Sequence, residues 1–123
     1  MLSLIACLML LAGCQVLDTN LSNRHTIEMQ HTNRFVPGTI EVERGATIVF
    51  HNQSQIWHSA TTDPGTIVTT EPPLTPEIVA LWDSGNLDPG ESWAIRLDEP
   101  GTYLFYCRRH AEQGMIGSIT VLE

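Results

Sequence analysis

Near its end the chain reads Cys107-Arg-Arg-His110-Ala-Glu-Gln-Gly-Met115, bringing a thiolate, an imidazole and a thioether into nine residues. Donors this soft suit a redox-active metal. Thiolate and thioether select copper, and two His, one Cys and a weak Met make the ligand set of an electron-transfer copper centre. The segment supplies one His, so a second is required from elsewhere, and His58 is a good candidate. Two other chemistries also use a Cys and a His at this spacing. Zinc generally wants four N, S or O donors, and would have to recruit His58 plus another donor such as His51 or His31; Met is a poor ligand for it. A nucleophilic Cys needs a nearby base and a third group to orient that base. Residues three apart around a turn rarely leave the thiolate free to attack, and no orienting partner stands out.

These donors need a frame, and the frame reads as strands. Short runs rich in Ile, Val, Thr and aromatics occur at His25–Gln30, Thr39–Val42, Thr47–Asn52, Ser92–Leu97, Thr102–Cys107 and Gly117–Leu122, with Leu81–Ser84 as a further candidate. Alternation gives each a buried side. Ile40 and Val42 share one face against Glu41 and Glu43, and Tyr103, Phe105 and Cys107 share another. The runs are separated by Glu43-Arg44-Gly45, Asp88-Pro89-Gly90 and Glu99-Pro100-Gly101, where Gly and Pro supply turn geometry. One segment breaks the pattern: Thr75-Pro76-Glu77 reads as an N-cap, a first-turn Pro and a first-turn acid, so Pro76–Trp82 is expected to form a short helix or helical turn. Evenly spaced strands in about 100 residues predict an all-β, Greek-key β-sandwich. In such a frame Cys107 ends a strand, His110 lies across a tight turn, and Met115 returns after Gly114. If the strand before His58 lies in the facing sheet, all four side chains meet at one pole.

The chain has 123 residues, six Arg, no Lys and 14 carboxylates, for a net charge of −8. That size allows one domain, and that charge disfavours nucleic acid. The apolar stretch Leu2–Ala12 is too short to span a bilayer and reads as the core of a secretory signal. Its end, Leu11-Ala12-Gly13-Cys14, is similar to a bacterial lipobox, in which cleavage precedes the Cys and the Cys is lipidated; no Lys or Arg precedes the apolar run. Residues 1–13 are therefore expected to be a lipoprotein signal, 14–24 the lipid anchor at Cys14 and its tether, and 25–123 the functional domain. Cys107 is then the one thiol of the mature domain. A lone thiol in an oxidising envelope is a liability that metal ligation would explain, although Cys is also buried for packing alone.

The ordered set Phe35-x-Pro37, Ile40-x-Val42, Gly45, Thr47-Ile48, Phe50, Asn52 and His58, then Leu87-x-Pro89-Gly90, Gly101-Thr102-Tyr103-x-Phe105-Tyr106-Cys107, His110, Gly114-Met115 and Gly117-x-x-Thr120-Val121, resembles the plastocyanin-type cupredoxins, the small blue-copper proteins. The resemblance covers most of the mature chain. It implies one mononuclear type 1 copper held by His58, Cys107, His110 and Met115, alternating between Cu(II) and Cu(I), with the His110 edge as electron port and an apolar patch around it that Met115 and Ile116 help to build. It also implies a solvent-exposed Tyr106. Departures are Ser59, where relatives often carry Asn or Thr that braces the ligand loops, Arg109 in place of a Pro, and the stretch 64–80, which has no clear counterpart.

The function expected is a blue-copper electron carrier of the cell envelope, a monomer anchored by lipid and facing the periplasm or cell exterior, with redox proteins as donor and acceptor. Arg108 and Arg109 beside the port are candidates for docking an acidic partner. The alternative is a copper-binding or delivery protein without electron transfer; a closed three-donor set with Met115 argues against easy release. An enzyme subunit would need further copper, commonly on His-x-His motifs, and none occurs. Trp57 is expected to shield the metal from water, Trp82 and Trp93 to pack, and His25, His31 and His51 to lie at the surface.

Overall fold

The computed structural model describes residues 22–67 and 78–123. The signal, the Cys14 site and most of the tether lie outside them. Among the described residues are seven strands: β1 (Arg24–Gln30), β2 (Arg34–Val36), β3 (Thr39–Val42), β4 (Ala46–Asn52), β5 (Ser92–Leu97), β6 (Gly101–Tyr106) and β7 (Ile116–Val121). They form two sheets, ordered β2-β1-β4-β5 and β3-β7-β6. Pairings β1–β4 and β3–β7 are parallel and the others antiparallel. This is the expected all-β sandwich, its connections crossing between sheets. Six of the seven strands coincide with expected runs to within a residue or two. β2 is the addition; it is three residues long and follows a turn in which Asn33 adopts φ +57°.

Period-two alternation explains which faces meet. Ile27 and Met29 of β1, Ile48 and Phe50 of β4 and Leu97 of β5 point inward from one sheet; Val42, Tyr103, Phe105, Ile119 and Val121 do so from the other. Aromatic rings fill the end of this core. Phe105 meets Phe35 at 4.7 Å and Phe50 at 5.2 Å, both edge-on. Trp82 and Trp93 complete the cluster, 5.7 Å apart, packing as expected. Edge-on aromatic pairs add roughly 0.5–1.5 kcal/mol each beyond their burial, so the pole beside Cys107 is a rigid one. The Asp88-Pro89-Gly90 turn forms as its residues dictate, with Gly90 at φ +85° and a Glu91 N–H to Asp88 C=O bond of 2.9 Å.

The helical turn expected over Pro76–Trp82 is not supported where it can be followed. Residues 76 and 77 lie outside the described part, and Ile78–Trp82 is not helical. The reason is a competing set of partners: Thr62 N–H donates to the Trp82 carbonyl at 3.0 Å, Trp82 N–H donates to Thr62 Oγ1 at 2.9 Å, and Asp83 pairs with Thr61. Burial of the Trp82 ring fixes the segment as an extended strip beside residues 60–62. The 3-10 turns of the described chain are instead Pro64–Thr66 and Ala111–Gln113.

Candidate metal centre

His58 reaches the pole on the loop after β4. Asn52, wholly buried, anchors that loop: its Nδ2 donates to the carbonyls of Ile56 (2.7 Å) and Leu87 (2.8 Å), and its Oδ1 accepts from Ser54 N–H (2.9 Å) and Ser54 Oγ (2.7 Å). His58 then pairs with Leu87 through both backbone groups, at 3.1 and 2.7 Å. The ring has no exposed surface.

The other donors come from one returning loop. Cys107 follows β6, and its N–H donates to the Met115 carbonyl at 3.0 Å. Its own carbonyl accepts from Ala111 at 2.9 Å, and Met115 N–H donates to the His110 carbonyl at 3.1 Å. Gly114, at φ +92°, reverses the chain so that Met115 can come back over the site. Cys107 and Met115 are fully buried, and His110 is partly so.

Cys107 Sγ lies 3.8 Å from His58 Nδ1 and 3.4 Å from His110 Nδ1, and the three atoms fall within 4.8 Å of one another. The two imidazoles stand at 65° with centroids 5.0 Å apart. Burial lowers the pKa of both rings below the ordinary 6.5; the mutual charge adds to this for His58, opposed by the Gln30 backbone, and Arg109 adds to it for His110. His58 Nε2 is buried without a hydrogen-bond partner of good geometry. Both rings are thus held neutral, the form a metal takes.

These three are among the four residues singled out from the sequence, and the fourth, Met115, is buried on the same returning loop, its carbonyl bonded to Cys107 N–H. The pattern of copper binding proteins of the plastocyanin/azurin family matches residues 23–122. The chain belongs to the plastocyanin/azurin family. It is 36% identical over 88 residues both to the chloroplastic plastocyanin of Pisum sativum and to the plastocyanin of Vicia faba. Those 88 residues are 71% of this chain, 51% of the pea protein and 86% of the broad bean protein. Among solved structures, the reduced auracyanin of Roseiflexus castenholzii superposes with a TM-score of 0.61 at 23% identity, covering 82% of this chain and 98% of that one. That last likeness speaks for the fold. As a family member the protein is a blue-copper electron carrier, and its cofactor is copper.

The donor geometry fits such an ion. A nitrogen about 2.0 Å and a sulfur about 2.3 Å from a common first-row ion, at a trigonal angle of about 120°, stand about 3.7 Å apart; the observed separations of 3.8 and 3.4 Å bracket that figure.

The surroundings correct three expectations. Tyr106 is buried, 2% exposed, because Thr61 pairs with its backbone and the 60–62 strip lies beside β6. Met115 is buried too, so it adds nothing to the surface patch; Ile56, 46% exposed, lines the groove at His110. Trp57 stands 6.5 Å from the His110 ring, beside the half-buried imidazole. Arg108 is not a free surface cation: its NH2 bonds Asp83 Oδ2 at 2.8 Å. Arg109 lies over Trp57 at 5.4 Å. Ser59 does brace the ligand loops despite its short reach, accepting from Arg108 N–H at 2.9 Å and donating toward Cys107 Sγ at 3.9 Å. His51 faces outward as expected, but half-buried and bonded to Glu28 at 2.7 Å.

Proposed function

We propose that His58, Cys107, His110 and Met115 hold one copper ion, that electrons enter and leave through the His110 edge, and that the domain works from a lipid anchor at Cys14 in the bacterial cell envelope. The single observation carrying this reading is the convergence of one buried sulfur and two imidazole nitrogens within 4.8 Å, on segments clipped in place by backbone bonds.

When bound, copper supplies the one-electron exchange. The protein's part is to hold the donors still and dry. Cys107 offers its thiolate from the end of a strand whose neighbours Phe105 and Tyr106 are buried. His58 is locked by Leu87 and excludes water from that side. Ser59 directs a hydroxyl toward the sulfur, a contact that tunes the potential of a thiolate-bound ion. His110 alone among the three donors is partly open, and it borders a groove with Ile56, Trp57, Pro89 and Arg109. A flat, half-apolar rim of this kind suits brief contact with a redox protein. Arg109 supplies the cation for an acidic partner, since Arg108 is committed to Asp83. The chain carries no His-x-His motif for a further copper, which favours a carrier over an enzyme. The domain is read as a monomer.

Loading the mature domain with Cu(II) and recording its absorption and voltammetry tests the centre. An intense thiolate-to-copper band with reversible reduction is expected. A colourless complex, or a spectrum unchanged in Cys107→Ser, refutes it. Palmitate labelling that persists in Cys14→Ala refutes the anchor, and an unaltered ionic-strength dependence of electron transfer in Arg109→Ala refutes the docking role.

A further inference from the structure

The Arg108–Asp83 pair joins two stretches that are distant in sequence. Arg108 directly follows Cys107, whereas Asp83 lies beyond the 64–80 stretch. The contact is 2.8 Å, with each side chain 32% exposed. Both carboxylate oxygens of Asp83 are engaged, Oδ2 by Arg108 and Oδ1 by Gly85 N–H at 2.8 Å. Asp83 is seated in turn against Thr61, and Thr61 pairs on its other side with Tyr106. Adjacent bonds between Ser84 and Ala60, at 2.9 and 2.8 Å, fasten the same strip. The guanidinium therefore crosses the 59–62 segment to reach its partner. That segment carries Ser59, whose Oγ accepts from Arg108 N–H and faces Cys107 Sγ. The result is a closed circuit: sulfur, Arg108 backbone, guanidinium, Asp83, Thr61, Ser59 and back to the sulfur. Arg108 Nε is buried without a hydrogen-bond partner, so part of that cation faces protein rather than water.

We infer that Asp83 and Arg108 are a positioning pair for the copper centre, holding the Ser59 hydroxyl against the Cys107 sulfur while their opposed charges balance the field there. The inference rests on the copper reading above. Reduction adds negative charge to the site, so a nearby cation favours the reduced form and a nearby anion the oxidised form. Asp83→Asn leaves Arg108 unbalanced, a charge that pushes the potential up. Arg108→Gln leaves Asp83 unbalanced, a charge that pushes it down. The double variant, again balanced, falls between the two. A pair that merely braced the loop would move both single variants the same way.

The test has one measurement with the metal and one without. The two single variants are expected to differ from each other about tenfold in the equilibrium constant against a reference couple, about 59 mV for one electron, with Asp83→Asn the higher, since any loosening of Ser59 lowers both alike. In the copper-free protein, hydrogen exchange at the Arg108 amide, bonded to Ser59, should quicken in both single variants. Glu41→Gln, an exposed charge on β3, should change neither quantity. Equal potentials in the two single variants, the reverse order, or unchanged exchange at Arg108 overturn the proposal. Should the wild type give no thiolate–copper band, the copper reading fails on its own; exchange at Arg108 in the copper-free variants still decides whether the pair holds the loop. If Asp83→Asn does not fold, the charge swap of Asp83→Arg with Arg108→Asp replaces it, and must restore slow exchange.

Discussion

Asn52→Ala should loosen the His58 side of the site more than any other single truncation outside the donors. The side chain makes four hydrogen bonds, to Ile56, Leu87 and twice to Ser54, all from a position with no exposed surface. At about 1 kcal/mol net for each bond the loss sums to about 4 kcal/mol. Two of the freed acceptors keep another donor, since Leu87 C=O still receives His58 N–H and Ile56 C=O still receives Ser54 Oγ. Ser54 N–H is left without its acceptor. Balancing these, the copper-free protein should lose about 3 kcal/mol, read as a lower urea midpoint with an unchanged slope. Asn52→Asp sharpens the test. It keeps the Ser54 bonds but turns a carboxylate oxygen toward two carbonyls in a dry site, which raises its pKa. A group whose folded pKa is raised gives its stability below the unfolded pKa and loses it as pH climbs. Asn52→Asp should therefore fall below Asn52→Ala at neutral pH and recover toward pH 4, near the ordinary carboxylate pKa. A loss under about 1 kcal/mol in Asn52→Ala, or a difference between the Asp and Ala variants indifferent to pH, would refute the argument that this one amide fixes the loop.

Gly117→Ala should cost about 2 kcal/mol or more, because a Cβ there would sit 2.4 Å from Phe105 Cζ and 2.9 Å from the Gly38 carbonyl, neither free to yield; a neutral melting temperature would contradict it. Ser59→Ala removes a donor that favours the reduced, more electron-rich sulfur, so voltammetry should show a potential lower by roughly 20–40 mV, the equivalent of under about 1 kcal/mol; a rise would reverse the assigned role. Burial depresses the His58 and His110 pKa values below 6.5, so as pH falls the unfolded chain takes up protons first. Copper-free stability should thus be complete above about pH 6.5 and drain below it, and a flat thermal-melt profile down to about pH 5 would refute this. Amide exchange at Cys107, Ala111 and Met115 should be slow even without copper, given their bonds within the returning loop; fast exchange restored only by metal would show that the ion builds the loop.

Strand residues and donor types were legible because they obey short-range rules. Ile40 and Val42 alternate with Glu41 and Glu43 whatever the tertiary context, and the Cys107–Met115 spacing announces its donors directly. What escaped the sequence depends on partners far away in it. β2 exists because Phe35 finds Phe50 and Phe105 across the sandwich, and three residues carry no period of their own. The capping signal at Thr75-Pro76 is a local preference, and around Trp82 it loses to burial of a large ring and to bonds with Thr62. Tyr106 alternates away from Cys107 as the pattern says, but outward means solvent only if nothing lies beside the sheet, and the strip at Thr61 does. Arg108 looked free for the same reason: charge is visible in a sequence, whereas an Asp 25 residues away is a partner only once folded. Asn52 carried the one usable hint, an amide on the inward side of an otherwise apolar strand.

The arrangement of bonds also explains how so small a domain can offer a rigid centre. The donors derive from two loops, and loops are ordinarily the mobile part of a sandwich. Here each is tied at both ends by the chain itself: His58 to Leu87 on one side, Cys107 and His110 to Met115 on the other. Ser59 and the Arg108–Asp83 contact then join the two loops to each other. Rigidity therefore does not have to come from the metal. A site whose donors stay put through a change in charge needs little rearrangement when an electron arrives, and the partly open His110 beside a shallow groove is the proposed way in. The same logic accounts for Cys107, the one cysteine among the described residues. In a loop free to open, Cys107 would be exposed to oxidation; fully buried and hemmed in by two imidazoles and a hydroxyl, it is reachable by little larger than an ion.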